Sequence, residues 1–323
     1  MRVLITAASG YVGSLLTSAL LGKEYELVGL ARDPVRAHQA IELALRRQRA
    51  DPETLERARA IELVRADVLS GEGLDQALDR VDVAYYLIHS MESGAPAPFP
   101  ELERAGAQNF VAAARAAGVG RIVYLGGLNT GGQSASAHLS SREQVERILL
   151  EGVPESVALR ASIVIGAGSR SFRLLVRLVE RLPVLALPDW HRYRTQPIDG
   201  RDVVKLLIAA ARVPQAAGRS LEIGGPDVLS YGEMLERIAD LMMVGRPTVR
   251  LGLSATPLSA RIAAAIAGED PQLILPLMRG LGRDLLLTGT DGARLLNVDL
   301  HSFDAAVEHA LGEWEASEPL AAR

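Results

Sequence analysis

Arg2-Val3-Leu4-Ile5-Thr6-Ala7-Ala8-Ser9-Gly10-Tyr11-Val12-Gly13 is the stretch whose reading decides the fold. After Arg2 it is apolar and rich in β-branched residues, the composition of a parallel strand buried on both faces. Helical spacing begins at Tyr11, with Val12, Leu15, Leu16 and Leu20 sharing one face. A strand that turns directly into a helix presents unpaired N–H groups and the positive end of the helix dipole above the turn. The missing Cβ of Gly10 lets a pyrophosphate approach there, and that of Gly13 lets the helix lie close to the sheet. Ala8, Ser9, Gly10, Tyr11, Val12 and Gly13 are therefore candidate dinucleotide contacts. The glycine set is incomplete: Ala7 stands first in Gly-x-x-Gly-x-x-Gly, and Ala8 stands first in Gly-x-Gly-x-x-Gly. Two glycines also suit a strand-to-helix turn that holds no ligand, so the rest of the chain carries the decision.

With 323 residues and 48% hydrophobic content the chain can bury a large core. The expected division is a dinucleotide-binding core over residues 1–165 and a mixed C-terminal region over 166–323 that completes the sheet and forms a smaller substrate lobe. A net charge of -4 argues against nucleic acid, because neutralising phosphates requires a basic face. The absence of cysteine excludes disulfides, thiolate chemistry and cysteine-ligated metals. No basic region followed by an apolar run and a cleavage site opens the chain. Apolar segments such as Leu206 to Ala211 fall short of the ~20 residues that span a bilayer. The expectation is a cytoplasmic protein, monomer or homodimer, without bound metal.

Strand patterns at Arg2–Thr6, Glu26–Ala31, Ala60–Arg65, Val81–Ile88, Arg121–Leu125 and Ser156–Arg160 alternate with helical patterns. The helices read as Tyr11–Leu21, Val35–Arg47 with Pro52–Arg59, Gly73–Leu78, Glu101–Ala117 and Ser140–Leu150. Such alternation specifies an α/β, Rossmann-type doubly wound parallel sheet, which binds ligands at the carboxyl ends of its strands. Strand-end residues therefore carry weight. Where an NAD-selective site has an acid, the second strand ends in Arg32, followed by Asp33 and Pro34. A guanidinium there pairs with a 2′-phosphate through two parallel bonds, favouring NADP(H) over NAD(H). The plainer reading makes Arg32 a surface residue ahead of a helix capped by Asp33. The fourth strand delivers His89 and Ser90 to the sheet edge, near the ribose or nicotinamide, and a strand-end histidine also suits a loop carbonyl.

The tracts Tyr85-Tyr86-Leu87-Ile88-His89-Ser90-Met91 and Gly126-Gly127-Leu128 before His138-Leu139-Ser140-Ser141-Arg142 carry a resemblance. So do Leu159 to Gly166, Thr195 to Asp199 with Asp202-Val203, and Glu222-Ile223-Gly224-Gly225-Pro226. Over roughly residues 1 to 315 the chain resembles an atypical, extended-type short-chain dehydrogenase/reductase, of the NAD(P)H-binding group similar to the reductase-like accessory subunit of respiratory complex I. The resemblance implies that Asp67 and Val68 hold the adenine, with a helix cap before Leu69 as the competing use of Asp67. It further implies cofactor contacts at Leu87, Ile88, His89, Gly126, Gly127, Arg142, Ala161 and Ser162. Active members orient a carbonyl with a serine after the fifth strand and donate a proton from a Tyr-x-x-x-Lys helix. Here Gly126 or Gly127 takes the serine position, and no tyrosine is followed by lysine four residues later. By position His138 stands where the proton donor belongs and Arg142 where the lysine belongs, sharing a helix face at i and i+4. Histidine can donate a proton near neutrality, whereas arginine only stays charged. The pair also suits a cofactor-binding and helix-capping remnant without catalysis.

The expected function is an NADP(H)-dependent oxidoreductase acting on a carbonyl or activated double bond of an apolar small molecule, with His138, Arg142 and His89 as candidate catalytic residues. A non-catalytic NADP(H)-binding redox sensor or assembly factor is the alternative, and a cofactor-retaining epimerase or dehydratase stands further off. In the second lobe Trp190, His191 and Tyr193 are expected either to line a substrate mouth or to pack the lobe on the sheet. Asp199 and Asp202 are expected to order a loop and cap the helix at Val203 to Ala211. Ser254 to Leu287 suits a cover for an apolar substrate, contact with a membrane surface, core packing or a dimer face. No function attaches to the helical stretch Ala37 to Arg59.

Overall fold

A computed structural model describes residues 1–21, 23–88, 99–128, 137–250, 282–316, 318 and 320. Six strands follow the expected alternation: β1 (Arg2–Thr6), β2 (Glu26–Ala31), β3 (Glu62–Arg65), β4 (Val83–Tyr86), β5 (Arg121–Gly127) and β6 (Val157–Ala161). Four short strands come next, β7 (Val164–Ile165), β8 (Leu185–Leu187), β9 (Arg194–Thr195) and β10 (Ile198–Asp199), before β11 (Ser220–Ile223). The main sheet is seven-stranded and parallel in the order β11-β6-β5-β4-β1-β2-β3. Strand order reverses between β1 and β4, and the turn at Gly10 leaves β1 at that reversal, where doubly wound sheets open a crevice.

The sheet is covered on both faces, as the unbroken apolar runs require. Val3 and Ile5 face one core with α1 (Tyr11–Leu21), α2 (Pro34–Arg47) and α3 (Pro52–Arg59). Leu4 faces the opposite core with α4 (Leu74–Leu78), α5 (Phe99–Ala116) and α6 (Ala137–Gly152). β4 is shorter than its apolar run because the N–H of Leu87 turns out of the ladder to the Thr6 hydroxyl at 2.8 Å. The stretch 34–59 forms a helical hairpin that packs on α1. Gln48 donates to the Ser14 hydroxyl at 3.0 Å and Arg57 to the Leu21 carbonyl at 2.9 Å.

A further core lies among α7 (Arg170–Arg181), α9 (Tyr231–Leu241) and the helix Phe303–Glu315, with Phe172, Tyr231, Phe303 and Trp314 fully buried, while α8 (Gly200–Ala210) joins the core on the α1 side of the sheet. Trp190 belongs to that further core. At 5% exposure, edge-on to Tyr231 at 6.1 Å, it packs the lobe and lines no mouth. The cause is its place in the turn Asp189–Arg192, which the His191 ring fixes by a 2.8 Å bond to the Pro188 carbonyl. Most of Ser254 to Leu287 lies outside the described residues.

Asp199 caps α8 through the Arg201 N–H at 2.7 Å, as expected. Asp202 acts over a longer range. Fully buried, it accepts the His301 N–H at 2.6 Å, meets the His301 ring at 2.8 Å and pairs with Lys205 at 2.9 Å, tying the C-terminal segment to α8. Asp202→Ala strands these donors and is expected to cost about 3 kcal/mol in urea denaturation, whereas Asp202→Asn, which keeps an acceptor, costs roughly half of that. At the start of α9, Ser230 and Glu233 form a capping box in which the Ser230 N–H holds the Glu233 carboxyl below the usual carboxylate range. That contribution is complete above the unfolded-state pKa and is lost as pH falls through the lower folded-state value. Glu233→Gln is therefore expected to flatten the acid limb of stability between about pH 5 and pH 3 in pH-dependent melts.

Candidate functional site

The turn after β1 closes by a bond from the Gly10 N–H to the Ala7 carbonyl at 2.9 Å, and α1 starts with Ser14 N–H on the Gly10 carbonyl at 2.8 Å. A Cβ on Gly13 would run into the Ala7 backbone, so glycine there sets how closely α1 approaches the strand. A Cβ on Gly10 would stand 3.2 Å from the Ala7 carbonyl oxygen and would fill the space above the turn. Ala7 occupies the first glycine position of the Gly-x-x-Gly-x-x-Gly spacing and adopts the conformation that glycine serves, with φ at +50°. The turn is thus built despite the substitution, at a cost of about 1 kcal/mol in left-handed strain. Ala8 is buried in the core, and Val12 packs against the same core, which leaves their backbone as the groups that can face a ligand.

Tyr11 points elsewhere. Its ring lies against Gly166, Gly168 and Gly200 of the second lobe, where any Cβ would collide with it. Burial pushes its hydroxyl well above the ordinary range, with the carboxylates of Glu313 and Asp199 adding to the shift.

At the adenosine end, Arg32 is exposed directly after β2, and Asp33 caps α2 through the Arg36 N–H at 3.1 Å, ahead of Pro34. Asp67 is not a helix cap. Its carboxylate accepts the Leu69 N–H at 2.8 Å, and α4 begins only at Leu74, after Gly73 at φ +73°. Asn109 of α5 donates to the Val68 and Leu69 carbonyls, both at 2.9 Å, pinning this loop. The Val68 side chain is buried against Gly106.

Thr6 straps the switch point: its hydroxyl donates to the Tyr85 carbonyl at 3.0 Å and accepts from Leu87. The Leu87 side chain is core, so only its carbonyl remains available, and Ile88 is half-buried. His89 and Ser90 lie outside the described residues.

Gly126 and Gly127 end β5 beside Arg160 and Ala161 of β6. A Cβ at Gly126 would meet the Tyr124 ring at 2.8 Å, so a side chain there would displace that ring. Burial pushes the Tyr124 hydroxyl up, and Arg142 opposes that shift by charge and a side-chain hydrogen bond. Arg142, half-buried on α6, is therefore anchored to β5. One residue earlier, buried Ser141 donates to buried Glu103 of α5 at 2.7 Å. His138 lies one turn before Arg142 on the same helix. Ser162 is nearly buried, its hydroxyl 2.8 Å from that of Thr195 and its N–H on the Ile223 carbonyl at 3.0 Å. Thr6, Glu103, Tyr124, Ser141 and Thr195 meet these candidates across separate elements, and local spacing does not bring them together. The one available signal was Thr6, a polar residue closing an apolar strand.

A cavity of about 590 Å³ runs along α6 beside β6, lined by Glu143, Glu146, Arg147 and Arg160. It is not the crevice at the β1/β4 reversal, and Arg160 there is committed to Glu146 by two bonds of 2.8 and 2.7 Å. Among the described residues no three His, Asp or Glu side chains gather as a metal site, and no helix is long and apolar enough to cross a membrane.

The open turn at a sheet reversal, with a cation on the neighbouring strand end, fits a dinucleotide, and the architecture is a Rossmann-type α/β fold. Residues 7–162 match the NAD(P)H-binding family, and this segment is an NAD(P)H-binding domain. The chain is 26% identical over 126 residues to NADH dehydrogenase [ubiquinone] 1 alpha subcomplex subunit 9, mitochondrial, of Arabidopsis thaliana, covering 39% of this chain and 31% of that protein. It is 25% identical over 253 residues to an uncharacterized protein of Mycobacterium tuberculosis, covering 78% of this chain and 24% of the relative. The chain thus spans a third or less of the curated relatives it matches. Among solved structures, UDP-glucuronic acid 4-epimerase from Bacillus cereus with UDP-glucuronic acid and NAD superposes at a TM-score of 0.68, with 16% identity and coverage of 98% and 99% of the two chains. The NAD-dependent NDP-hexosamine 5,6-dehydratase TunA superposes at 0.67, with 17% identity and coverage of 98% and 99%. These share the fold of the extended-type short-chain dehydrogenase/reductases that the sequence resembles.

Two substitutions test the turn. Ala7→Gly is expected to raise stability by about 0.5–1 kcal/mol in chemical denaturation, by relieving the left-handed conformation. Gly13→Ala is expected to lower it by about 2 kcal/mol or more and to weaken NAD(P)H binding in a fluorescence titration.

Proposed function

We propose that the protein is an NADP(H)-dependent oxidoreductase that reduces a carbonyl or activated double bond of an apolar small molecule without the usual serine, tyrosine and lysine. The observation that supports this reading is a cation on α6, Arg142, anchored by Tyr124; the resemblance puts it at the lysine position of active members. The bound cofactor would supply the hydride. Ala8 to Gly13 would hold its pyrophosphate and Arg32 its 2′-phosphate, while the Asp67-Val68 loop borders the adenine. Arg142 would bond the ribose hydroxyls and hold positive charge beside the reacting oxygen, because it does not deprotonate. The proton would come from His138 or His89. Leu87, Ile88, Gly126, Gly127, Ala161 and Ser162 would frame the nicotinamide largely through backbone. The reading includes a cytoplasmic location and a monomer or homodimer.

The test is NADPH consumption by the purified chain across panels of ketones, quinones and enones. Turnover with one class supports the proposal, while binding without any turnover counts against it. Arg142→Met is expected to weaken NADPH binding about tenfold, by the loss of a charge-assisted contact of ~1.5 kcal/mol, and to cut turnover further. Arg32→Ala is expected to cost 1.5–3 kcal/mol of NADPH affinity, on the order of charge-assisted bonds, and to leave NADH affinity unchanged. Equal affinity of the unaltered chain for NADH and NADPH ends the 2′-phosphate assignment.

A second reading is a non-catalytic NADP(H)-binding sensor or assembly factor, favoured by the Arabidopsis relative whose name places it in an NADH dehydrogenase. Cofactor that co-purifies without exchange, together with a stable protein partner, is its sign. The NAD-bound epimerase and the dehydratase among the solved structures favour a third, cofactor-retaining reaction. UDP-sugar conversion without net cofactor consumption distinguishes it.

A further inference from the structure

Reduction of a carbonyl or an activated double bond places negative charge on an oxygen of the substrate, and a hydrogen-bond donor fixed beside that oxygen lowers the barrier. Among the described residues few side chains at the sheet ends can give that bond. β5 ends in Gly126 and Gly127, with Leu128 next. The Thr6 proton is spent on the Tyr85 carbonyl at 3.0 Å, and the Ser141 proton on Glu103 at 2.7 Å. β6 ends beside β5, with Ala161 opposite Gly127, and the residue after it is Ser162. Neighbouring strands lie ~4.8 Å apart, so this hydroxyl starts one strand over from a strand end that has none. The Ser162 N–H stays in the ladder, on the Ile223 carbonyl at 3.0 Å, so strand alternation continues to it. Leu159 and Ala161 face the α1 side, whereas Arg160 reaches Glu146 of α6, and Ser162 continues the side of Arg160.

The Ser162 hydroxyl belongs to a buried chain of three. Its Oγ lies 2.8 Å from the Thr195 hydroxyl of β9, and Thr195 is hydrogen-bonded in turn to the Tyr231 side chain at the start of α9. Burial pushes the Tyr231 hydroxyl up to about 12, so it keeps its proton. Three hydroxyls carry three protons, and the two bonds between them use two. One proton is left over. Thr195 is 0% exposed and Tyr231 1%, and an unpaired donor is costly at such depth. Ser162, at 8% and at a strand end, is where that proton can be used. The chain therefore runs from the Tyr231 O–H to Thr195, from the Thr195 O–H to Ser162, and from the Ser162 O–H outward.

We propose that Ser162 is a catalytic residue that donates a hydrogen bond to the substrate oxygen gaining negative charge, with Thr195 and Tyr231 as positioning residues that aim its proton into the crevice. This rests on the oxidoreductase reading of the site and adds to it a side chain that touches substrate. The Ser162 O–H bond is not broken: the hydroxyl stabilises the oxygen as the hydride arrives, and the proton of the product has a separate source. Two of the three hydroxyls belong to the second lobe, so the lobe sets the direction of a donor that stands on the sheet.

The experiment is steady-state kinetics of the full chain with NADPH and the ketones, quinones and enones that it turns over, alongside fluorescence titration with NADPH and thermal melts. Ser162→Ala is expected to lower kcat about a hundredfold, with NADPH affinity unchanged and the melting midpoint lowered by no more than a few degrees. Ser162→Thr, which keeps a hydroxyl, is expected to recover most of the loss. Thr195→Val is expected to lower kcat about tenfold, the equivalent of one neutral hydrogen bond, without raising KM for the substrate. An unaltered kcat in Ser162→Ala, or a loss that appears in NADPH affinity instead of kcat, overturns the proposal and leaves the oxidoreductase reading standing. An unaltered kcat in Thr195→Val overturns the positioning role. If the unaltered chain binds NADPH and turns over none of the panel, the oxidoreductase reading fails and the proposal with it.

Discussion

The contact between the Gly13 backbone and the Ala7 backbone governs this molecule. It sets how near α1 lies to β1, and the position of α1 sets where its free N–H groups stand relative to the sheet reversal. The hairpin of α2 and α3 is hung on α1 through Gln48 and Arg57, so the outer layer inherits the same placement. An alanine at the first glycine position does not disturb it. Left-handed strain of about 1 kcal/mol is small against the packing of a strand buried on both faces.

The departures from the usual reductase set form one packing solution. Gly126 lacks a side chain where the Tyr124 ring fills the space, and the Tyr124 hydroxyl in turn engages Arg142. Glu103 and Ser141 clamp α5 to α6 next to it. Tyr124 thus stands between the glycine that ends β5 and the arginine on α6. The cation on α6 is one that cannot transfer its proton, so it can serve binding but not acid catalysis.

What the sequence made legible was local. The spacing from Arg2 to Gly13, the capping pair Asp33-Pro34 and the strand-end position of Arg32 follow from neighbours in the chain, and their elements begin and end close to where they were read. β4 ends early because of Thr6, about eighty residues away, and Asp67 caps a turn whose shape depends on Gly73 and on Asn109 of α5. Trp190 reads from the sequence either as a mouth residue or as packing, and what decides for packing, Tyr231, comes from a distant helix. The Tyr124–Arg142 and Glu103–Ser141 contacts also join separate elements, and no periodicity encodes them.

Tyr11 is part of the dinucleotide turn by sequence and part of the second lobe by contact, seated among Gly166, Gly168 and Gly200. Withdrawing the lobe would uncover a hole the size of a phenol ring, so the lobe and the turn behave as one mechanical unit on the scale of a few kcal/mol. Coupling of that kind is reciprocal. If a ligand at the turn also steadies the residues around Tyr11, a molecule held by those residues tightens the turn by the same free energy. In such a protein, the order in which two ligands arrive changes the rates but leaves the total affinity unaltered.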